Sequence, residues 1–417
     1  MTVQTAAQMA APNIETLQAR LDALCAIHPV PPKGAQRMAL SADDKAGRDL
    51  FAGWAKTAGL SLTIDPVGNM YARLAGTRPD LAPVMSGSHL DTVATGGRYD
   101  GALGVVAALA VAEAMASAPP PRGLVVANFT NEEGARFAPD MLGSLVAVGG
   151  LSIADALQIT AIDGARLGDA LTAIGYAGEA PLLSERPPHA FIELHVEQGP
   201  VLDEADLALG AVTGVQGIAW RSITFMGEAN HAGATPHRLR RDAGRAAITL
   251  AHAVLSLPER FGSDLLATVG RLALTPDLIN VIPEAATMTV DLRHPDAETL
   301  NAADDALGAA IRAAAEATGC TGTSQRLARF DPVVFDQDLV ARIETGAAAH
   351  GLTHRRLISG AGHDAQMLAR ICPAAMIFAP SIGGISHNPA EDTAPEHIAA
   401  AVTVLADTLN ALCHEVT

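Results

Sequence analysis

His89-Leu90-Asp91-Thr92-Val93 runs on to Gly96-Gly97-Arg98-Tyr99-Asp100-Gly101, so a histidine and an aspartate eleven residues apart flank a glycine-rich turn. An imidazole and a carboxylate so spaced can converge on one metal ion, and Asp91 is placed to orient the His89 ring through its second nitrogen. In isolation an ordinary polar loop would look the same. Thr130-Asn131-Glu132-Glu133-Gly134 sets two carboxylates side by side. Adjacent side chains point different ways, so one can bind metal while the other moves a proton, as hydrolysis at neutral pH requires. An acidic helix N-terminus is the alternative. Glu193-Leu194-His195-Val196-Glu197-Gln198-Gly199-Pro200 and Gly383-Gly384-Ile385-Ser386-His387-Asn388-Pro389 add two more histidines. Alone, His195 reads as a core histidine and His387 as a loop residue.

Together the clusters make a more specific pattern. His89, Asp100 and His195 can serve one ion, and Asp100, Glu133 and His387 a second, with Asp100 as the bridge. Mixed imidazole and carboxylate ligands suit zinc, with manganese or cobalt as substitutes. Two ions about 3.5–4 Å apart would share an activated water. Glu132 then falls into the role of general base and Asp91 into a supporting one.

These segments need elements that hold their ends together. Residues 84–90, 124–130, 191–197 and 374–378 read as apolar strands, and residues 14–26 and 104–118 as helices, the latter closed by Pro119, Pro120 and Pro121. Such alternation predicts an α/β architecture with the polar loops at the strand ends as the site. The middle of the chain reads differently: strands at 221–226, 265–274, 286–293 and 323–329, and helices at 238–257 and 297–318. That order is βαββαβ, a ferredoxin-like α+β unit. The expected organisation is a discontinuous catalytic domain, residues 1–218 and 332–417, interrupted by an inserted domain, residues 219–331.

Bulk properties narrow the function classes. With 28 basic against 45 acidic residues, the net charge of −17 argues against nucleic acid or an anionic membrane as partner. Four scattered cysteines with no C-x-x-C pair read as free thiols of a reducing compartment. No basic n-region followed by an apolar h-region is visible at residues 1–13, and no apolar stretch is long enough to span a bilayer. A cytoplasmic protein is expected.

The segments GSHLDTVATGGRYDG, TNEEGARF, ELHVEQGPVL, GEANHAGATP, NVIPEAATMTVDLRHPD, SGAGHDA and GGISHNPAE give the chain a resemblance. They resemble the hydantoinase/carbamoylase branch of the zinc aminoacylase and carboxypeptidase superfamily. That branch holds N-carbamoyl-L-amino acid hydrolases, β-ureidopropionases and allantoate amidohydrolases. The resemblance implies metal-dependent hydrolysis of the carbamoyl C–N bond of a small carboxylated ureido substrate, giving amino acid, carbon dioxide and ammonia. It implies a di-zinc site held by His89, Asp100, Glu133, His195 and His387, with Glu132 as base. It further implies that Gln198 contacts substrate, that His231 polarises the scissile group, and that Asn280 with Arg293 binds the substrate carboxylate. The inserted domain would dimerise the protein, its residues either completing the site of the partner subunit or closing as a lid over the metals. Rival readings are an N-acyl amino acid deacylase or peptidase on the same scaffold, and a metal-stabilised binding protein without catalysis. Two positions depart from the family pattern: Glu284 stands where glycine is usual, and His237 where methionine is typical. His363, in SGAGHDA, is expected to support the site without being a ligand.

Overall fold

Val84–His89, Leu124–Phe129, Phe191–Val196 and Ala374–Ala379 are buried along their whole length. Strands covered on both faces read as continuous runs and not as alternations, as these do. In the computed structural model, which describes residues 9–416, they lie side by side as a parallel block. Ala374–Ala379 pairs with Phe191–Val196, which pairs with Val84–His89, which pairs with Leu124–Phe129. Antiparallel strands flank the block, Met70–Leu74 and Ser61–Ile64 on one side and Leu209–Val215 on the other. The expectation of no secretory leader falls mostly on residues 1–8, outside the described residues. Among the described residues no helix is long and apolar enough to cross a membrane.

Because the four strands run the same way, their carboxyl ends share one edge, the usual place for a site in an open α/β sheet. His89 ends one strand, Thr130 to Glu133 follow the second, Glu197 and Gln198 follow the third, and Ser381 lies just beyond the fourth. The helix Ala102–Met115 packs on three of these strands, and its Ala, Val and Leu side chains are almost all buried. Pro395–Cys413, which has proline at its N-terminus where a missing N–H does no harm, packs on Ala374–Ala379 and Phe191–Val196.

The chain divides into two compact units, Met1–Gly214 with Val334–Thr417, and Val215–Val333. In the second unit four strands make an antiparallel sheet in the order Leu266–Thr275, Ala285–His294, Gly217–Met226, Thr321–Phe330. Numbered along the chain that order is 2-3-1-4, the split-βαβ arrangement. Burial alternates strictly along Ala285–His294. Its inward residues Met288, Val290 and Leu292 join Ile223, Phe225, Leu250, Leu300 and Leu307 in one core under the helices Ala243–Leu255 and Ala297–Thr318. Truncating a fully buried member such as Leu250 to alanine would cost about 2–5 kcal/mol. The helix expected over residues 238–257 is shorter. It starts at Ala243, where the Asp242 carboxylate accepts the Arg245 N–H at 3.0 Å, and a 3₁₀ turn, His237–Leu239, precedes it. At the other end a separate short helix, Leu257–Phe261, carries Pro258 in its first turn.

Candidate metal centre

Two strand-end histidines are aimed by main-chain carbonyls. His89 Nδ1 lies 2.9 Å from the Asp91 carbonyl oxygen, and His195 Nδ1 lies 2.9 Å from that of Val196. A carbonyl only accepts, so each Nδ1 carries a proton and each Nε2 is turned inward toward acids. His195 Nε2 stands 3.2 Å from Asp100 Oδ1, and His89 Nε2 stands 3.7 Å from the same oxygen and 3.4 Å from Glu132 Oε2. The other Asp100 oxygen faces a second group. His387 Nε2 is 3.4 Å from Asp100 Oδ2 and 3.3 Å from Glu133 Oε2. The structure thus brings together His89, Asp100 and His195, and separately Asp100, Glu133 and His387, with the ligand atoms of each group within 4.8 Å of one another.

Buried acids crowd around these two groups. Asp91, Asp100, Glu132, Glu193, Asp364 and Glu391 are all buried. Burial, aided by Asp44 and Glu133, pushes Asp91 up to about 8, and burial with Asp100 nearby pushes Glu391 to about 7. Burial also drives Glu132 well above the usual carboxylate range, reinforced by Asp364, Glu133, Asp100 and Asp91. Asp100 goes the other way: burial alone would raise it, but the hydrogen bond and charge of His195, with His89 and His387, hold it below its ordinary value. Burial likewise opposes the charge on His195, yet Asp100 lifts that ring to about 9. The Glu133 hydrogen bond lifts His387 to about 9 against its burial. His89, with burial dominant, falls to about 4 and is a neutral donor at pH 7. Protons held on rings and acids that face one another mark positions where divalent cations fit, and the imidazole–carboxylate donor set suits zinc-like ions.

Asp91 departs from expectation. Its carboxylate does not reach the His89 ring; the main-chain carbonyl does, because the chain turns back over the imidazole after the strand. The carboxylate instead crosses to the neighbouring loop and accepts the N–H groups of Glu132 at 3.2 Å and Glu133 at 3.3 Å. Asn131, at φ 55°, makes the sharp turn before them, and its side-chain amide is tied to the Phe137 main chain. Gln198, also at positive φ, donates from Nε2 to Asp100 Oδ2 at 3.0 Å and leaves its buried Oε1 without a hydrogen-bond partner. The His363 ring packs edge-on against His195 with centroids 4.6 Å apart and bonds Ser359 Oγ at 2.9 Å. It lies close enough to Glu193 and His195 to form a further group of ligand-type atoms. The Glu193 carboxylate, however, already accepts from Ser88 Oγ and the Ala365 N–H, and His195 Nε2 already faces Asp100.

His231, Asn280 and Arg293 belong to the second unit. A short ladder pairs His231 with Val281, and the Ala232 N–H donates to the Asn280 carbonyl at 3.0 Å, so His231 and Asn280 are neighbours. His231 Nδ1 accepts N–H bonds from Gly233 at 3.0 Å and Ala234 at 3.2 Å. Two donors on Nδ1 fix the tautomer, so the ring proton is on Nε2 and is available to donate. Arg293, near the end of its strand, is gripped by the Asp291 carboxylate at 3.0–3.1 Å and lies 5.9 Å from the Trp220 ring centroid. Any carboxylate ligand would share that guanidinium with Asp291. Glu284 makes its turn through main-chain bonds to Thr275 and Gly227, and its side chain is exposed, as is that of His237.

Sequence reasoning missed three buried supports. Arg37 donates to the Leu90 carbonyl at 3.0 Å, beside His89. Arg48, paired with Asp44, reaches Thr130 Oγ1 at 3.2 Å. Glu391 accepts the N–H groups of Tyr99 and Asp100. Only Glu391 carried any signal, since it follows His387 by four residues in the same motif.

The family described as Peptidase family M20/M25/M40 matches residues 85–411. An N-carbamoyl-L-amino-acid amidohydrolase of Rhizobium meliloti is 38% identical over 395 residues, 94% of this chain and 95% of that protein. An allantoate amidohydrolase of Escherichia coli (strain K12) is 37% identical over 352 residues, 84% of this chain and 86% of that protein. A solved amidase of the hydantoinase/carbamoylase family from Burkholderia multivorans superposes with a TM-score of 0.91 at 40% identity, covering 97% of this chain and 99% of that one.

Proposed function

The chain belongs to Peptidase family M20/M25/M40, and from that premise we propose that it is a metal-dependent amidohydrolase of N-carbamoyl amino acids. The observation that carries the reading is Asp100, whose two carboxylate oxygens divide between the His89–His195 group and the Glu133–His387 group. In this proposal His89, Asp100 and His195 hold one ion and Asp100, Glu133 and His387 a second, with zinc as the native metal and manganese or cobalt as substitutes. Divalent ions bound there supply Lewis acidity and a nucleophile at neutral pH. The chain's own residues do the rest. Glu132, buried and 3.4 Å from His89 Nε2, would be held ionised by cations bound beside it; it takes a proton from water and returns it to the leaving nitrogen. His231, with its proton fixed on Nε2, donates to the carbonyl oxygen as negative charge develops on it. Asn280 and the Arg293 fork bind the substrate carboxylate, and Gln198 Oε1 accepts a ureido N–H. An N-carbamoyl amino acid and water then give the amino acid, carbon dioxide and ammonia. The inserted unit would also form a homodimer.

Relatedness to an allantoate amidohydrolase keeps other ureido acids as a second substrate reading. The test is ammonia release by the zinc-loaded protein from N-carbamoyl α-amino acids, β-ureidopropionate and allantoate, with N-acetyl amino acids and dipeptides followed by amine release. Turnover of only the last two groups would overturn the carbamoyl reading in favour of a deacylase or peptidase. Glu132→Gln should lose about 10²–10⁴-fold in kcat with its metal intact. Full turnover in that variant would remove Glu132 from the mechanism. A chain that binds metal but turns over none of these compounds would be the binding protein instead.

A further inference from the structure

Glu391 is fully buried (0% exposed) and touches two loops at once. Its Oε1 accepts the N–H groups of Tyr99 at 2.9 Å and Asp100 at 3.1 Å, and its Oε2 accepts the Ser386 hydroxyl at 3.0 Å. One carboxylate therefore joins the loop that ends in Asp100 to the loop that carries His387, and meets the second within one residue of its histidine. Gly97 closes the cradle. A Cβ there would stand 2.1 Å from Oε1 and 2.2 Å from Cδ of Glu391, so any larger residue would push the carboxylate away. The segment bearing Glu391 is itself pinned, with its N–H on the Asn388 carbonyl at 2.9 Å and the Lys33 N–H on the Pro389 carbonyl at 3.1 Å.

The two candidate groups differ in what holds them. His89 and His195 lie on strands of the parallel block, and main-chain carbonyls fix their rings. His387 sits outside helix and strand, at φ 51°, with 54% of its side chain exposed. Among the described residues no main-chain carbonyl fixes its ring, and Gln198 Nε2 lies 3.5 Å from its Nε2.

We propose that Glu391 is a positioning residue for the second group. It sets the Asp100 main chain and the Ser386–His387 turn against each other, so that Asp100, Glu133 and His387 assemble as a unit. It acts through the Tyr99 and Asp100 N–H groups and the Ser386 hydroxyl, without itself touching ion or substrate. This deepens the two-ion reading above and rests on it.

The test measures zinc per chain on the full-length protein, chelated and then dialysed against graded free zinc, for wild type, Glu391→Ala, Glu391→Gln and Ser386→Ala, with kcat and KM alongside. Wild type should take up two ions. Glu391→Ala should keep the first at wild-type affinity and bind the second about 10–100-fold more weakly, with excess zinc restoring kcat and KM little changed. Glu391→Gln should recover most of the second affinity, because its Oε1 still accepts both N–H groups and its amide can donate to Ser386 Oγ. Ser386→Ala should fall between. Fewer than two ions on wild type would sink the two-ion reading itself, and the proposal with it. With two ions on wild type, a Glu391→Ala protein that binds both normally, or loses both together, would overturn the positioning role. A Glu391→Gln protein as defective as alanine would overturn it too. Should Glu391→Ala not fold, the glutamine and Ser386 variants decide: unchanged second-ion affinity in Ser386→Ala refutes the link.

Discussion

Substituting Gly101 by alanine would strike both histidines of the first group at once. Gly101 caps the helix Ala102–Met115 at φ 63° and ψ −49°, a region that L-residues avoid. Holding alanine there costs about 1–3 kcal/mol of backbone strain. The new Cβ would also lie 2.4–2.5 Å from three ring atoms of His89, inside any tolerable contact. That ring has little room to yield, since it is 1% exposed and its Nδ1 is held by the Asp91 carbonyl. Overpacking of this kind adds about 1–3 kcal/mol. The Gly101 N–H lies 3.2 Å from His195 Nε2, so relief by backbone movement disturbs the second ring instead. A total of about 2–6 kcal/mol is a large part of the ~5–15 kcal/mol that holds a domain together, but not all of it. The variant should therefore fold with a lowered urea midpoint, bind zinc about 10–100-fold more weakly at the first group, and lose activity accordingly. Urea unfolding by circular dichroism and zinc dialysis measure the two effects separately. Gly53→Ala is the control: it lies in the helix Ala42–Thr57, an added Cβ meets nothing within 4 Å, and it should stabilise by about 0.5–1 kcal/mol. A folded Gly101→Ala protein with wild-type zinc affinity and turnover would refute the placement of His89 as a ligand.

Other outcomes follow from the same geometry. The chelated protein should lose stability between pH 6.5 and 8. His195 is raised from 6.5 to about 9 and Asp91 from 3.8 to about 8, so both hold excess protons in the folded state across that window. His195's contribution is complete below 6.5 and lost by about 9, and Asp91's falls away as pH climbs to 8, at about 1.4 kcal/mol per pH unit for each excess proton. A urea midpoint that stays flat or rises over this range would contradict the proton count. Above pH 8, where Asp91 is ionised, Asp91→Asn turns one of its two acceptors into a donor facing a main-chain N–H of Glu132 or Glu133, so it should lose about 1–3 kcal/mol of stability and lower kcat. An unchanged midpoint and kcat would show that the carboxylate does not hold that loop. Arg293→Ala should raise KM about 10–100-fold, from the ~1.5–3 kcal/mol of a charged hydrogen bond, and Arg293→Lys should not restore it, because lysine lacks the fork. Steady-state kinetics on an N-carbamoyl amino acid decide this, and an unchanged KM removes Arg293 from substrate binding.

Much of the site was legible in the sequence because its chemistry is written in contiguous segments. His89, Glu132 and Glu133, and His195 each stand at or just beyond the end of a run apolar enough to announce a buried strand, and His387 lies in the turn-rich loop that follows another. In a parallel block such ends share one edge whatever the details of packing. The βαββαβ order of the second unit was legible for a similar reason: periodicity and capping are local, and Ala297–Thr318 falls within the bounds its pattern predicts.

What the sequence could not settle depends on which loops become neighbours. Whether Asp91 aims the His89 ring with its carboxylate or its carbonyl is decided by the loop after the next strand, whose two N–H groups claim the carboxylate. Arg293 reads as a free fork until the strand places Asp291 beside it. Glu391 is one acid among many until 291 residues of separation from Asp100 close to a single hydrogen bond. The sequence determined the donor types, since those are side-chain chemistry, and the strand ends that present them, since those follow from local apolar patterning. Tertiary structure alone decided how Asp100 divides its oxygens, what aims each ring and where the buried charge accumulates, because these depend on distances between segments far apart in the chain.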